Sequence, residues 1–77
     1  MNTKISKKCI TSAQVYTSVL RAGVGNVLQV DAGGTAIPVT ITQDMADLAV
    51  QIWRDAYEPA TEIERFAMDA IWADSAP

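Results

Sequence analysis

Histidine is absent from these 77 residues and cysteine occurs once. Without histidine the chain lacks the commonest general base, the commonest metal ligand and the usual partner of a nucleophilic serine or cysteine. One cysteine, Cys9, cannot close an internal disulfide, so the fold is expected to stand without covalent staples and to favour a reducing compartment. Large aromatics are scarce, with two tryptophans, two tyrosines and one phenylalanine, so the core is expected to be small. No apolar run approaches the roughly 18 residues that would span a bilayer. The basic N-terminus runs into Thr11, Ser12, Gln14, Thr17 and Ser18, which is no apolar signal core. These absences make a soluble, cytoplasmic protein the expectation.

Acidic residues are missing from everything before Asp31. Through Val30 the formal charge is +4, from Lys4, Lys7, Lys8 and Arg21. From Asp31 onward it is −7: Asp31, Asp44, Asp47, Asp55, Glu58, Glu62, Glu64, Asp69 and Asp74 oppose Arg54 and Arg65, and the whole chain carries −3. Such a division restricts which partners the chain attracts, and it points to an interaction surface rather than to chemistry.

One domain over residues 1–77 is what this length allows, and a chain so short buries only about 60% of its unfolded surface. Residues 1–8 read as a flexible basic arm and 75–77 as a frayed tail. From Ser12 to Ala22, pairs of apolar and polar residues repeat with a period near four. A helix is expected there, capped by Ser12, with Arg21 in its last turn and Gly23 at its C-terminal stop; the β-branched Val15, Thr17 and Val19 argue for a strand instead. Val27–Asp31 and Ala36–Ile41 read as a hairpin around Gly33-Gly34. Leu28 and Val30 would share one buried face with Ile37, Val39 and Ile41. Pro38 places its strand at a sheet edge there, or marks a bulge.

A helix from Gln43 to Tyr57 follows, with Thr42 as cap. Met45, Leu48, Ala49, Ile52, Trp53 and Ala56 form its apolar face, and Asp44, Asp47, Gln51, Arg54, Asp55 and Glu58 lie opposite. Pro59 breaks it. Thr61 and Glu64 then have capping-box spacing, opening a helix whose apolar face would be Ile63, Phe66, Ala67, Ala70 and Ile71. The expected class is α+β, in the order α-β-β-α-α.

Nothing in the sequence assembles a catalytic, cofactor or metal site. Cys9 has basic neighbours but no base to complete a nucleophilic pair. Asp44 and Asp47 lie one turn apart on a polar helix face, where solvated charge is the default. Gly23-Val24-Gly25 and Asp31-Ala32-Gly33-Gly34 lack dinucleotide and calcium-loop spacing respectively. A helix-turn-helix across Glu58-Pro59-Ala60 would set Glu62, Glu64, Asp69 and Asp74 against a polyanion, so direct nucleic-acid binding is not expected. The expected reading is a non-enzymatic protein-binding module. Its candidate contacts are the acidic residues Asp44, Asp47, Asp55, Glu58, Glu62, Glu64 and Asp69, which would face a basic partner, with Met68 and Trp72 as an apolar anchor. The same acids would serve solubility, and Trp72 would serve equally as a packing lid.

In general character, over its whole length, the chain resembles the phage-encoded anti-CRISPR proteins: very short, acidic, single-domain and without catalytic motifs. No residue motif carries the resemblance, and it assigns no residue a role. It implies an inhibitor acting in the bacterial host cytoplasm on a CRISPR–Cas effector subunit, at a basic surface that nucleic acid would otherwise occupy. The alternative is a self-associating structural or adaptor protein of a phage or mobile element, a homodimer using Met68, Trp72 and the edge near Pro38.

Overall fold

The computed structural model describes residues 5–74 and has the order helix, two-stranded antiparallel hairpin, helix, helix. The first helix, α1, spans Lys7–Ala22, and its cap is Ser6 rather than Ser12. The Ser6 hydroxyl accepts the Cys9 N–H at 3.2 Å, satisfying one of the donors that every helix leaves orphaned at its start. Lys7 and Lys8, expected in a flexible arm, therefore form the exposed first turn. Ser12 sits inside the helix at 6% exposure. Lys4 and the 75–77 tail lie outside the described residues. At the other end Gly23, at φ +86°, donates its N–H to the Val19 carbonyl at 3.2 Å, and the Asn26 amide caps the Ala22 carbonyl at 2.7 Å.

Strands β1 (Val27–Ala32) and β2 (Thr35–Thr40) pair antiparallel, with Leu28 opposite Val39 and Val30 opposite Ile37. Both turn glycines, Gly33 and Gly34, have positive φ, as a two-residue primed turn requires. The face expected to be buried is covered only at its base. Leu28 and Val39 are half-buried, whereas Val30 and Ile37 remain 41% and 45% exposed. Leu28 meets the core patch around Val19, and the helices do not cover the rest of the hairpin. Ile41, just past β2, is the residue that ties the hairpin down. It is 1% exposed, and its backbone bonds to Asn26 and Gly25 at 2.9 and 2.8 Å.

The second long helix, α2 (Gln43–Tyr57), starts on Thr42, whose hydroxyl accepts the Met45 N–H. Its buried stripe is Ala46, Ala49 and Ala56, with Trp53 beside them; Leu48, expected on that stripe, is 59% exposed. The last helix, α3 (Glu62–Asp74), opens on the expected capping box with both arms formed. Glu64 N–H reaches the Thr61 hydroxyl at 3.3 Å, and the Thr61 N–H reaches Glu64 Oε1 at 3.0 Å.

Two apolar patches hold these elements, and α1 contributes to both. Cys9 and Ala13 meet Ala56 and Met68 at one end, while Val19 meets Ile41, Ala46 and Ala49 at the other. The partners show that α2 runs antiparallel to α1. Contacts from Ser6 to Glu64 and from Arg21 to Trp72 show that α3 runs parallel to it. A helix enclosed by two neighbours must present small side chains to both. Cys9, Ser12, Ala13 and Thr17 do so, and Ala13 has no exposure at all.

Thr17 carries a cost of that enclosure: its hydroxyl is buried without a hydrogen-bond partner. Replacing it by the near-isosteric Thr17→Val removes a desolvated polar group, whose burial costs about 1–3 kcal/mol. Thermal unfolding should show the variant to be more stable; a lower Tm would mean that the hydroxyl is in fact satisfied.

Candidate protein-binding surface

Of the nine residues expected to contact a partner, Glu64 is the one the fold itself uses. While Oε1 completes the α3 capping box, Oε2 accepts the Ser6 N–H at 2.9 Å and faces the Cys9 thiol at 3.4 Å. One carboxylate thus serves the N-termini of two parallel helices, where the dipole of each favours negative charge. The donors hold its pKa down from 4.5 to about 2, the Thr61 N–H contributing most and the Ser6 N–H next, against opposing desolvation. The capping-box spacing made the first contact legible. The second joins residues 58 positions apart, which no local pattern signals.

Met68 and Trp72 are corrected in the same way. Met68 has no exposure and fills the patch beneath Cys9 and Ala13. Trp72 is half-buried, its ring tilted at 47° to that of Tyr16 with centroids 5.3 Å apart, and the Arg21 guanidinium lies 3.9 Å over it and bonds its carbonyl at 3.2 Å. Tyr16 continues to Trp53 at 4.6 Å and Trp53 to Tyr57 at 5.2 Å, so four aromatics from three helices form one connected row. Sequence reading singled out Trp72 and Trp53 separately and missed Tyr16, which links them.

Because α3 turns Met68, Ile71 and Trp72 inward, the stripe expected to be its core face is split: Ile71 packs on the core, Ala67 and Ala70 are half-buried, and Phe66 and Ile63 point out. Phe66 is 77% exposed and Ile63 51%. With Ala70 they follow the i, i+3, i+7 spacing of one helix face, and exposed Glu62 and Asp69 lie beside them. Asp69 is also anchored, accepting the Tyr57 hydroxyl at 3.1 Å. Desolvation, followed by this hydrogen bond and the Asp69 charge, raises the Tyr57 pKa, with Arg65 acting in the opposite sense.

On α2 the expected acidic face stands as drawn. Asp44, Asp47, Asp55 and Glu58 are all exposed, on the side away from Ala46, Ala49 and Ala56. Asp47 and Asp55 accept from the Gln43 and Gln51 amides one turn earlier. Exposed Arg54 shares this side of the helix, while Arg65 of α3 holds carbonyls rather than carboxylates, bonding Tyr57 O at 2.9 Å and Glu58 O at 2.6 Å at the C-terminus of α2.

Elsewhere, Cys9 is buried and its thiol also contacts the Ala56 carbonyl at 3.9 Å. Among the described residues no three acidic or cysteine side chains converge as metal ligands, and no helix is long and apolar enough to cross a membrane. An open groove of about 340 Å³ between α1 and the hairpin is lined largely by valines, Leu28 and Met45 and contains no titratable side chain.

The depressed Glu64 pKa fixes a pH dependence. A carboxylate whose folded pKa lies below its unfolded value contributes stability above about 4.5 and loses it as pH falls towards about 2. Glu64→Gln should therefore lower Tm near neutral pH, and the gap from the parent should close across that acidic window. A gap that stays constant with pH would show that the charge is not what matters. Comparison with family models, with curated proteins and with solved structures finds no match for this chain.

Proposed function

We propose that this protein is a non-enzymatic binding module that inhibits its partner by laying an acidic helical face over a basic, nucleic-acid-binding surface. A CRISPR–Cas effector subunit is a partner of that kind. The observation that carries the reading is the exposed stripe of Asp44, Asp47, Asp55 and Glu58 on α2, taken together with an outward apolar strip on α3 centred on Phe66, which is 77% exposed. The acids span about 21 Å along α2, at 1.5 Å per residue. Four acids against the one cation Arg54 over such a length steer a basic partner into encounter, and a desolvated aromatic anchor slows its departure.

The division of labour differs from that expected of the sequence alone. The apolar anchor is assigned to Phe66 and Ile63, because Met68 is buried in the core and Trp72 is engaged by Tyr16 and Arg21. Glu64 leaves the contact set because it caps two helices, while Asp44, Asp47, Asp55, Glu58, Glu62 and Asp69 stay in it.

Affinity capture from a bacterial lysate, with and without nuclease, tests this. One dominant basic protein should be retained after nuclease treatment and eluted by about 0.5 M salt, where screening reaches within a few ångströms. Reversal of Asp44, Asp47 and Asp55 to lysine should abolish capture, and Phe66→Ser should weaken it at least tenfold. Capture that persists through both changes would contradict the proposal.

A further inference from the structure

The two edges of the hairpin are not equivalent. A two-residue turn closes on a hydrogen-bonded pair, here Ala32 with Thr35, so alternate pairs Val30–Ile37 and Leu28–Val39 exchange backbone bonds as well. The Ile41 N–H to Asn26 carbonyl bond continues that alternation. Pro38, opposite Gln29, then falls at a position where the backbone nitrogen faces outward, and proline has no N–H to offer there. The β2 edge is interrupted at its centre. On β1, by contrast, Val27, Gln29 and Asp31 turn a complete set of N–H and C=O groups outward.

We propose that β1 pairs antiparallel with β1 of a second copy of this chain, about a twofold axis at Gln29, to form a four-stranded sheet. In that register Gln29 faces Gln29, and Val27 of each copy faces Asp31 of the other. All three outward-facing residues of each strand are then bonded. On the inner face Leu28 of one copy meets Val30 of the other, giving apolar cross-strand pairs where Val30 is now 41% exposed.

Charge fits the same register. Asp31 is the only charged residue of β1, and the two carboxylates lie four residues apart along the strands, about 13 Å, beyond the screening length at physiological salt. The outer edges of the new sheet are both β2, where Pro38 halts further addition, so association stops at two copies. The strip is six residues long, placing the contact at the small end of specific interfaces and the dimer in a concentration-dependent regime. This inference is independent of the acidic face, and it moves self-association from the Pro38 edge to the opposite one.

Sedimentation across about 10 μM to 1 mM, the range in which small interfaces assemble, should show mass rising from one chain to two and no further. Cysteine substitution then reads the register. Opposed residues of a hydrogen-bonded pair have Cα atoms about 5.5 Å apart, within the span of a disulfide. Oxidised Gln29→Cys should therefore run as a covalent dimer on a non-reducing gel. Val27→Cys, on the same edge and 56% exposed, should not link to itself. A chain that remains monomeric at every concentration, leaving the edge to a foreign strand or to solvent, would overturn the proposal. So would equal cross-linking of the two variants, or assemblies larger than two. Circular dichroism of both variants checks that the fold is retained.

Discussion

Enclosure of α1 between two other helices is the constraint on which the rest of this structure depends. With 49% hydrophobic residues but few large ones, the chain cannot fill a broad core. It instead brings backbones close, using Cys9, Ala13, Ala46, Ala49 and Ala56 where a larger domain would use leucine or phenylalanine. Close packing of this kind gains dispersion contacts across the whole interface and tolerates little change in side-chain volume. Met68 and Ile41 are the two large side chains it buries completely, one at each end of α1.

Polar contacts at the helix ends then set the direction and rotation of α3. At one end the Glu64 carboxylate ties the start of α3 to the start of α1; at the other, Arg21 ties the end of α1 to Trp72. With both ends pinned, α3 can present only one side to α1, and that side carries Met68, Ile71 and Trp72. Phe66 and Ile63 are outward as a consequence. Arg21 and Arg65 are committed to helix C-termini, where cations complement the dipole, so the acidic stripe of α2 is offset by its own exposed Arg54 and not by them.

How legible each element was in the sequence follows from these causes. Element order, the hairpin turn and α2 could all be read, because they rest on local chemistry: Gly33-Gly34 in a primed turn, Thr42 as a cap, a three-and-four apolar repeat. The start of α1 could not, since Ser6 and Ser12 are equally good caps and the choice falls to the Glu64 contact from α3. Ser12, expected to cap α1, and Thr17 are both buried inside it. The face of α3 was misread because periodicity favours the largest apolar residues, whereas rotation is set by Ser6 and Arg21, far away in sequence. Of the candidate contacts, the α2 acids were legible as exposed charge. Met68 was not legible as core, nor Glu64 as a second helix's cap, for the same long-range reason, whereas the packing-lid reading of Trp72 was open in the sequence.

A protein built this way has its stability concentrated in one helix and its contact surfaces on the elements packed around it. Native-state hydrogen exchange at low protein concentration tests that directly. Amides in the middle of α1, from Ala13 to Thr17, should exchange slowest and only through global unfolding. Those of the hairpin should open first, because only its base, through Ile41 and Leu28, packs on the helices. Hairpin amides as protected as those of α1, or an α1 that opens while α2 and α3 stay closed, would contradict the account.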